Sequence, residues 1–227
     1  MKMERRYKYA FGLLLLFIVW TIVIKFVDTA PIGPNESIVG LSHINGPFHE
    51  MFGYQELICR VSEIGGYAGL ALAGVLALSG LVQLIKCRKF SLVDKKLIAL
   101  GVIYVLVLFL YVLFDKVAIN YRPIIMPGET ELEPSYPSTH TMLAIAIYGT
   151  APILIHDYIR NDTLSGALIV ACWMLMVITV IARLFAGVHW LTDIVGGILL
   201  ASSLVLLYRA VCHRIDVMRK KEKRMKK

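Results

Sequence analysis

Four long stretches without a charged residue constrain this chain more than any other feature of its sequence. They run over residues 9–24, 64–85, 97–114 and 163–182. A helix that crosses the hydrocarbon core of a bilayer needs about 20 predominantly apolar residues. A soluble domain could not keep so much apolar surface out of water. With 58% hydrophobic and only 18% charged residues, the composition is that of a membrane protein.

Six transmembrane helices are predicted, and together they form one all-α membrane domain over residues 1–227. The spans cover about 9–27, 62–85, 97–115, 141–158, 164–184 and 190–209. The fourth and sixth are weaker, because they reach the required length only by including polar flanks. The longest connection, 28–61, is rich in proline and glycine. We expect it to form an ordered cap, since turn residues break any long helix.

The distribution of positive charge predicts the orientation of the spans. Nineteen of the 24 Lys and Arg residues fall at the two termini or in the loops after the second and fourth spans. Loops rich in Lys and Arg are retained on the cytoplasmic side, so both termini are predicted to be cytoplasmic. The short polar outer loops suggest a bacterial plasma membrane. The sequence leaves the oligomeric state open.

The basic tail, residues 210–227, is expected to contact anionic lipid headgroups. It follows directly on a hydrophobic span, and no aromatic residue interleaves its charges. A basic run beside a span usually serves as a membrane anchor. We therefore do not expect nucleic-acid binding.

Ionisable and hydroxyl residues at membrane depth cluster in two segments of the chain. Such residues are costly to bury and are functional candidates by default. They are Lys116, Arg122, Ser138, Thr139 and His140 between the third and fourth spans, and Arg183, His189 and Asp193 between the fifth and sixth. Alternating spans bring both connections out on the outer side. The two segments are therefore predicted to share one site.

Several of these residues predict a phosphate-binding pocket. Lys116, Arg122 and Arg183 can clamp phosphate oxygens, the two arginines with a planar fork of donors. Ser138 lies where the fourth span begins, as both helix cap and hydroxyl donor. The free backbone N–H groups at that helix start add an anion pocket.

The remaining residues predict phosphoryl transfer through histidine. His189 and Asp193 are four residues apart, so a helix beginning at His189 would place them on one face. The carboxylate could then orient a neutral imidazole for attack on phosphorus. His140 would protonate the leaving alkoxide and afterwards activate water against the phosphohistidine.

These segments resemble the type 2 phosphatidic acid phosphatase (PAP2) family. The family pattern is Lys, six residues and Arg-Pro; then Pro-Ser-Gly-His; then Ser-Arg, five residues, His, three residues and Asp. This chain has Lys116 to Arg122-Pro123, Pro137-Ser138-Thr139-His140, and Ala182-Arg183 to His189 and Asp193. The resemblance implies a six-span lipid phosphatase that uses no metal ion or other cofactor.

The resemblance also assigns roles to individual residues. It implies that His189 is the nucleophile, Asp193 its partner and His140 the general acid. The implied phosphate ligands are Lys116, Arg122, Ser138, Thr139 and Arg183. Glu133 and Tyr136 are close enough in sequence to touch the site, and Gly196 and Gly197 are expected to allow close helix packing.

The chain departs from the family pattern at three positions. Five residues rather than six separate Lys116 from Arg122, and strict spacing would land on Asp115. A slip of one residue rotates a helix by about 100°, so Lys116 is the least secure ligand. Thr139 replaces a glycine, and Ala182 replaces a serine. None of these changes removes a residue that the chemistry requires.

Three other functions remain open at this stage. His140, His189 and Asp193 could ligate zinc in a metallohydrolase, although the neighbouring cations would repel a metal ion. A lipid transporter could also carry charges at membrane depth. A phosphotransferase of the same family would use an acceptor other than water. The resemblance allows undecaprenyl pyrophosphate, phosphatidylglycerol phosphate and phosphatidic acid as substrates, without ranking them.

Overall fold

The computed structural model describes residues 3–225, and the prediction of an all-α protein is confirmed over this range. The helices are α1 (Met3–Phe26), α2 (Ser42–Phe52), α3 (Glu56–Cys87), α4 (Lys95–Lys116), α5 (Thr139–Tyr158), α6 (Asp162–Phe185) and α7 (Leu191–Met225). Extended structure in the described range is limited to two isolated β-bridges. Lys2, Lys226 and Lys227, which are among the predicted cytoplasmic charges, lie outside the described residues.

Five of these helices, α1, α3, α4, α6 and α7, are long and apolar enough to cross a membrane. Many of their large apolar side chains are exposed at the protein surface, as expected where a helix faces lipid. The protein is therefore an integral membrane protein.

Helix α5 is not among these five, and it lies inside the bundle. It packs against α3, α4, α6 and α7, and most of its residues are buried. A helix that is covered by protein needs no lipid-compatible surface, so it can carry threonine, histidine and tyrosine. That α5 makes a sixth crossing stays a prediction.

Side-chain caps begin two of the apolar helices. The Asp94 carboxylate accepts a hydrogen bond from the backbone N–H of Lys96 at 3.0 Å, at the start of α4. The Asn161 side chain accepts from Leu164 N–H at 2.9 Å and begins α6. Both satisfy donors that a helix N-terminus leaves without an internal partner.

The helices are longer than the predicted spans, most clearly α1, α3 and α7. Helix α3 begins at Glu56, six residues before the predicted span. Helix α7 does not end near 209 but continues to Met225, so the described part of the basic tail is helical. Buried Lys96 stabilises this extension, because its ammonium lies 2.8 Å from the carboxylates of both Asp157 and Asp216.

The predicted cap contains one short helix. We call residues 28–55 the outer cap. Its helix α2 has 11 residues and ends at Gly53, whose φ of +57° suits a residue without a side chain. Asn45 in α2 is fully buried and faces the start of α7. The cap therefore packs on the end of the bundle that carries the predicted site residues.

Candidate active site

The predicted site segments meet at one end of the bundle, where α4 and α6 end and α5 and α7 begin. The backbone N–H of Ser138 donates to the carbonyl oxygen of Asp193 at 3.0 Å. The start of α5 is thus bonded directly to the start of α7. Gly197 permits this approach, since a Cβ atom there would lie 2.9 Å from the Ser138 carbonyl oxygen.

His189 and Asp193 lie side by side, although not on one helix as predicted. Helix α7 begins at Leu191, so His189 belongs to the preceding turn. Asp193 nevertheless reaches back over the helix start, where its Oδ2 accepts from the backbone N–H of Trp190 at 3.0 Å. The same Oδ2 lies 3.6 Å from His189 Nδ1, slightly beyond hydrogen-bond distance. Catalytic hydrogen bonds of this kind often tighten when substrate binds.

The environment of His189 keeps its imidazole neutral. The residue is only 3% exposed. Burial and the positive charges of Arg183 and Arg122 lower the pKa of His189 well below its ordinary value. Nε2 has no hydrogen-bond partner among the described residues. A neutral imidazole with a free ring nitrogen is the form that a nucleophile requires.

His140 lies at the same end of the bundle, in the first turn of α5. Its ring packs against Gly66 of α3, where a Cβ atom would lie 3.2 Å from His140 Cδ2. Arg122 and Arg183 are close enough to act on its charge, as they are for His189. The two histidines therefore share the same pair of cations.

Arg183 is held in a buried position by α3. The side chain lies in the last turn of α6 and is 2% exposed. Its Nη1 donates to Ser62 Oγ at 3.3 Å and approaches Cys59 Sγ at 3.6 Å. Ser62 Oγ in turn donates to the Cys59 carbonyl at 2.7 Å. Because the Nη1 end is fixed, the guanidinium presents its remaining donors in a defined direction.

Arg122 is held by the loop that connects α4 and α5. The loop folds back on itself through a β-bridge between Tyr121 and Pro134. Within it, Arg122 N–H donates to the Glu133 carbonyl at 3.0 Å, and Arg122 Nε lies 2.8 Å from Glu133 Oε2. Glu133 thus orients the guanidinium. Tyr136 lines a small polar cavity together with Arg122, and its hydroxyl oxygen lies 2.7 Å from Thr21 Oγ1 of α1.

Ser138 and Thr139 occupy the start of α5 beside the arginines. Ser138 is the N-cap residue, yet its hydroxyl makes no capping bond. It is fully buried, and its Oγ has no partner among the described residues. Thr139 and Arg122 line a small polar cavity of about 80 Å³. The hydroxyl of Ser138 is therefore free to bind a ligand, while the first N–H groups of α5 provide further donors.

Lys116 is the predicted ligand that the structure does not bring to this cluster. Its side chain is 77% exposed, and its ammonium lies 3.1 Å from the carboxylate of Asp115. Asp115, the residue at strict family spacing, lines the polar cavity instead. The difference follows from helix geometry, because adjacent residues of α4 point about 100° apart.

The cluster leaves several buried polar atoms without a partner among the described residues. They include Arg122 Nη1, Ser138 Oγ, His140 Nδ1, Arg183 Nε and both ring nitrogens of His189. Buried polar atoms are nearly always hydrogen-bonded in folded proteins. Two guanidinium N–H groups and a hydroxyl suit the oxygens of an anion, and two imidazoles suit proton transfer or attack at its central atom. The arrangement is thus suited to phosphoryl chemistry.

Sequence reasoning missed the residues that position this cluster. Ser62 and Cys59 on α3 hold Arg183, and Gly66 on the same helix makes room for His140. Asn120 lies against Asp193. None of them belongs to a recognisable motif in a single sequence. The only available signal was a run of small residues on α3, which packs against α5 and α6.

Comparison with known proteins identifies a family and a similar fold. The model of the PAP2 superfamily matches residues 96–215. The fold is similar to the crystal structure of the first transmembrane PAP2 type phosphatidylglycerolphosphate phosphatase from Bacillus subtilis, with a TM-score of 0.60. That similarity covers 91% of this chain and 96% of the other at 20% sequence identity. None of the curated proteins matches the sequence.

Proposed function

Because this chain belongs to the PAP2 superfamily, we propose that it hydrolyses lipid phosphates at the outer membrane face through a phosphohistidine intermediate. One observation carries the proposal: neutral His189, its partner Asp193 and the second histidine His140 gather around buried Arg183 and partly buried Arg122. The arginines provide the anion site, and the histidines provide the chemistry.

In the first step, His189 attacks the phosphorus atom of the substrate. Nδ1 faces Asp193 and carries the proton, which leaves the Nε2 lone pair for attack. The Nε2–P bond forms while the bond from phosphorus to the lipid oxygen breaks. The negative charge of the bound phosphate offsets Arg122 and Arg183, so His140 can hold the proton that it donates to that oxygen, and the lipid leaves as an alcohol. The Asp193 carboxylate stabilises the positive charge that develops on the phosphorylated imidazole.

In the second step, water hydrolyses the phosphohistidine. His140, now deprotonated, takes a proton from the water molecule as its oxygen attacks phosphorus. The Nε2–P bond breaks, inorganic phosphate is released, and His189 returns to its neutral form. The same two arginines serve both steps, because the transferred group carries its charge on the same equatorial oxygens.

The surface between α3 and α4 is apolar in the half of the bundle away from the site. Apolar residues of α3 and α4 line a groove of about 460 Å³ that includes Leu76 and Leu97. At a rise of 1.5 Å per residue, Leu76 lies about 15 Å along α3 from Gly66, the neighbour of His140. Between Gly66 and this groove, α3 exposes Leu70 and Val75, which suits a substrate whose apolar tail stays in the bilayer.

The topology that we propose has six crossings, cytoplasmic termini and an outward-facing site in a bacterial plasma membrane. Placing α5 across the bilayer is supported by its position between four other helices. The basic end of α7 is exposed beyond Met218, which suits contact with anionic headgroups on the cytoplasmic side. The site lies at the opposite end of the bundle.

The proposal predicts that the purified protein releases inorganic phosphate from lipid phosphates. We would assay undecaprenyl pyrophosphate, phosphatidylglycerol phosphate and phosphatidic acid in detergent, with His189→Ala as the inactive control. Activity should persist in a chelator, because Arg122 and Arg183 beside both imidazoles disfavour a metal ion there. Loss of activity in the chelator would favour a metallohydrolase.

Two other outcomes of this assay would overturn hydrolysis. A phosphorylated lipid product without free phosphate would identify a phosphotransferase. Lipid-phosphate turnover that is no higher in the wild type than in His189→Ala would favour a non-enzymatic lipid transporter.

The three predicted cations should differ in their contribution to catalysis. Arg122→Met and Arg183→Met should each reduce kcat/KM by about 10²–10³-fold, because each removes a buried donor to the transferred phosphoryl group. Lys116→Ala should cost less than about threefold, since the lysine is exposed and paired with Asp115. Initial rates on the best substrate of the panel measure these effects.

Arg60→Met is the matched control for the arginine variants. Arg60 is exposed at the start of α3, where it pairs with Glu56 rather than with the site. It should retain nearly full activity. A loss in Lys116→Ala as large as that in the arginine variants would show that the lysine binds phosphate despite its position.

A further inference from the structure

Asn120 is a buried amide that touches the candidate site without belonging to any motif. It lies in the loop after α4 and is 1% exposed. Its Nδ2 donates to Asp193 Oδ1 at 3.5 Å, and its Oδ1 accepts from the backbone N–H of Gly40 at 3.3 Å. Its carbonyl oxygen accepts from Ser135 N–H at 2.9 Å. The amide nitrogen of Asn120 therefore has an acceptor, and its amide oxygen has a donor.

The contact with Asp193 determines which carboxylate oxygen faces the nucleophile. Oδ1 receives the Asn120 amide, while Oδ2 receives the Trp190 N–H and faces His189 Nδ1. With a donor on each side, rotation of the carboxylate about its terminal torsion is restricted. We propose that Asn120 is a positioning residue, which holds Asp193 so that it orients His189 for attack.

The outer cap fixes the direction of the Asn120 amide. An amide can flip and exchange its oxygen and nitrogen, and only one orientation offers a donor to Asp193. The Gly40 N–H favours that orientation, because it donates a hydrogen bond to the amide oxygen of Asn120. Gly40 itself cannot easily be replaced, since a Cβ atom there would lie 1.6 Å from the Ile24 carbonyl oxygen.

A second asparagine connects the cap to the same helix start. Asn45 Nδ2 donates to the Gly40 carbonyl at 2.8 Å and to Thr192 Oγ1 at 2.9 Å. Its Oδ1 accepts from the backbone N–H of Thr192 at 3.3 Å, which α7 leaves without an internal partner. The residue beside Asp193 is therefore capped from α2. The outer cap acts on the catalytic carboxylate through Gly40 and Asn120, and on its helix through Asn45.

The test is a double-mutant cycle between Asn120 and Asp193, and it depends on the lipid phosphatase activity proposed above. Asn120→Asp keeps the shape but replaces the donor by an acceptor, and it should lower kcat by about 10–100-fold, the range found for comparable outer partners of metal-site histidines. KM should change by less than about threefold, because no phosphate ligand is lost. In an Asp193→Asn background the same substitution should cost less than about threefold, because its effect passes through the carboxylate.

Asn120→Ala provides a second variant that adds no charge, and it should show the same non-additivity. The pH profile separates the two variants. The introduced carboxyl of Asn120→Asp regains a donor when it is protonated, so its deficit in kcat relative to wild type should shrink by at least about threefold between pH 8 and pH 5.5. The deficit of Asn120→Ala should stay constant, because alanine has nothing to protonate. A purely structural role would not produce this difference.

Asn161→Leu is the matched control, since Asn161 caps α6 at the opposite end of the bundle. It should lower the thermal unfolding midpoint in detergent and leave kcat unchanged. Wild-type kcat in both Asn120 variants, or losses that multiply fully with Asp193→Asn, would overturn the inference while leaving the phosphatase intact. A wild-type protein that releases no phosphate from any lipid would overturn both.

Discussion

His189→Gln is expected to reduce lipid-phosphate turnover by at least about 10⁴-fold, because it removes the atom to which phosphorus is transferred. The site around it would remain. Arg183 is held by Ser62, and Arg122 by Glu133, independently of the imidazole. The variant should therefore still bind the substrate, and its KM or its inhibition by inorganic phosphate should change little. Single-turnover release of phosphate measures the chemical step directly.

The same variant should lose the covalent intermediate. Wild-type protein quenched during turnover should carry phosphate on the peptide that contains residue 189, in a bond that is stable to alkali and lost in acid. His213→Gln is the matched control, because His213 lies far along α7, the helix that begins just after His189, and away from the site. Turnover in His189→Gln within tenfold of wild type, or label on another residue, would exclude His189 as the nucleophile.

The helices that face lipid were predictable because one physical requirement governs them. A segment in contact with hydrocarbon must be apolar along its length and must satisfy its own backbone, so α1, α3, α4 and α6 are evident from composition alone. Helix α5 was harder to predict because protein surrounds it. Its polar residues face partners that no local pattern reveals, such as the Gly65 carbonyl that accepts from the Tyr148 hydroxyl at 2.7 Å.

The spacing of the motifs was more informative about chemistry than about geometry. The four-residue spacing correctly predicted that His189 and Asp193 lie together. The predicted geometry was incomplete, since the two residues meet across the start of α7 and not along one face of a helix. The expectation for Lys116 shows the same limit. Counting residues showed that Lys116 is one residue away from the family position. Only the packing of α4 shows that Asp115 faces the cavity and Lys116 faces outward.

What could not be predicted is the set of residues that support the site from other helices. Ser62 acts on Arg183 over 121 positions of the chain, and Asn45 acts on Thr192 over 147. Such contacts depend on the relative placement of whole helices. A single sequence carries no record of that placement, because glycine, serine and asparagine at these positions are equally compatible with unremarkable packing or turns. The residues that we propose as catalytic have a distinctive chemistry, whereas the residues that hold them do not.

The second large effect is expected for His140→Gln, and it should depend on the leaving group. With a lipid phosphate, the alkoxide needs a proton to leave, so the loss of the general acid should cost about 10²–10⁴-fold in kcat. With p-nitrophenyl phosphate, the nitrophenolate leaves without a proton, and formation of the phosphohistidine should be largely spared. Its hydrolysis should still be slow, because the base that activates water is missing. The phosphorylated enzyme should then accumulate.

The measurement is a rapid-mixing experiment with p-nitrophenyl phosphate. His140→Gln should release a burst of about one nitrophenolate per enzyme, followed by a slow steady state, and the burst should coincide with label on His189. His156→Gln tests for general effects of a histidine change in the same helix, since His156 lies in the last turn of α5, away from the site; it should behave as wild type. If His140→Gln instead slowed both substrates equally and gave no burst, His140 would not transfer protons in either step. Its contact with Gly66 and its place beside the two arginines would then have to serve phosphate binding alone.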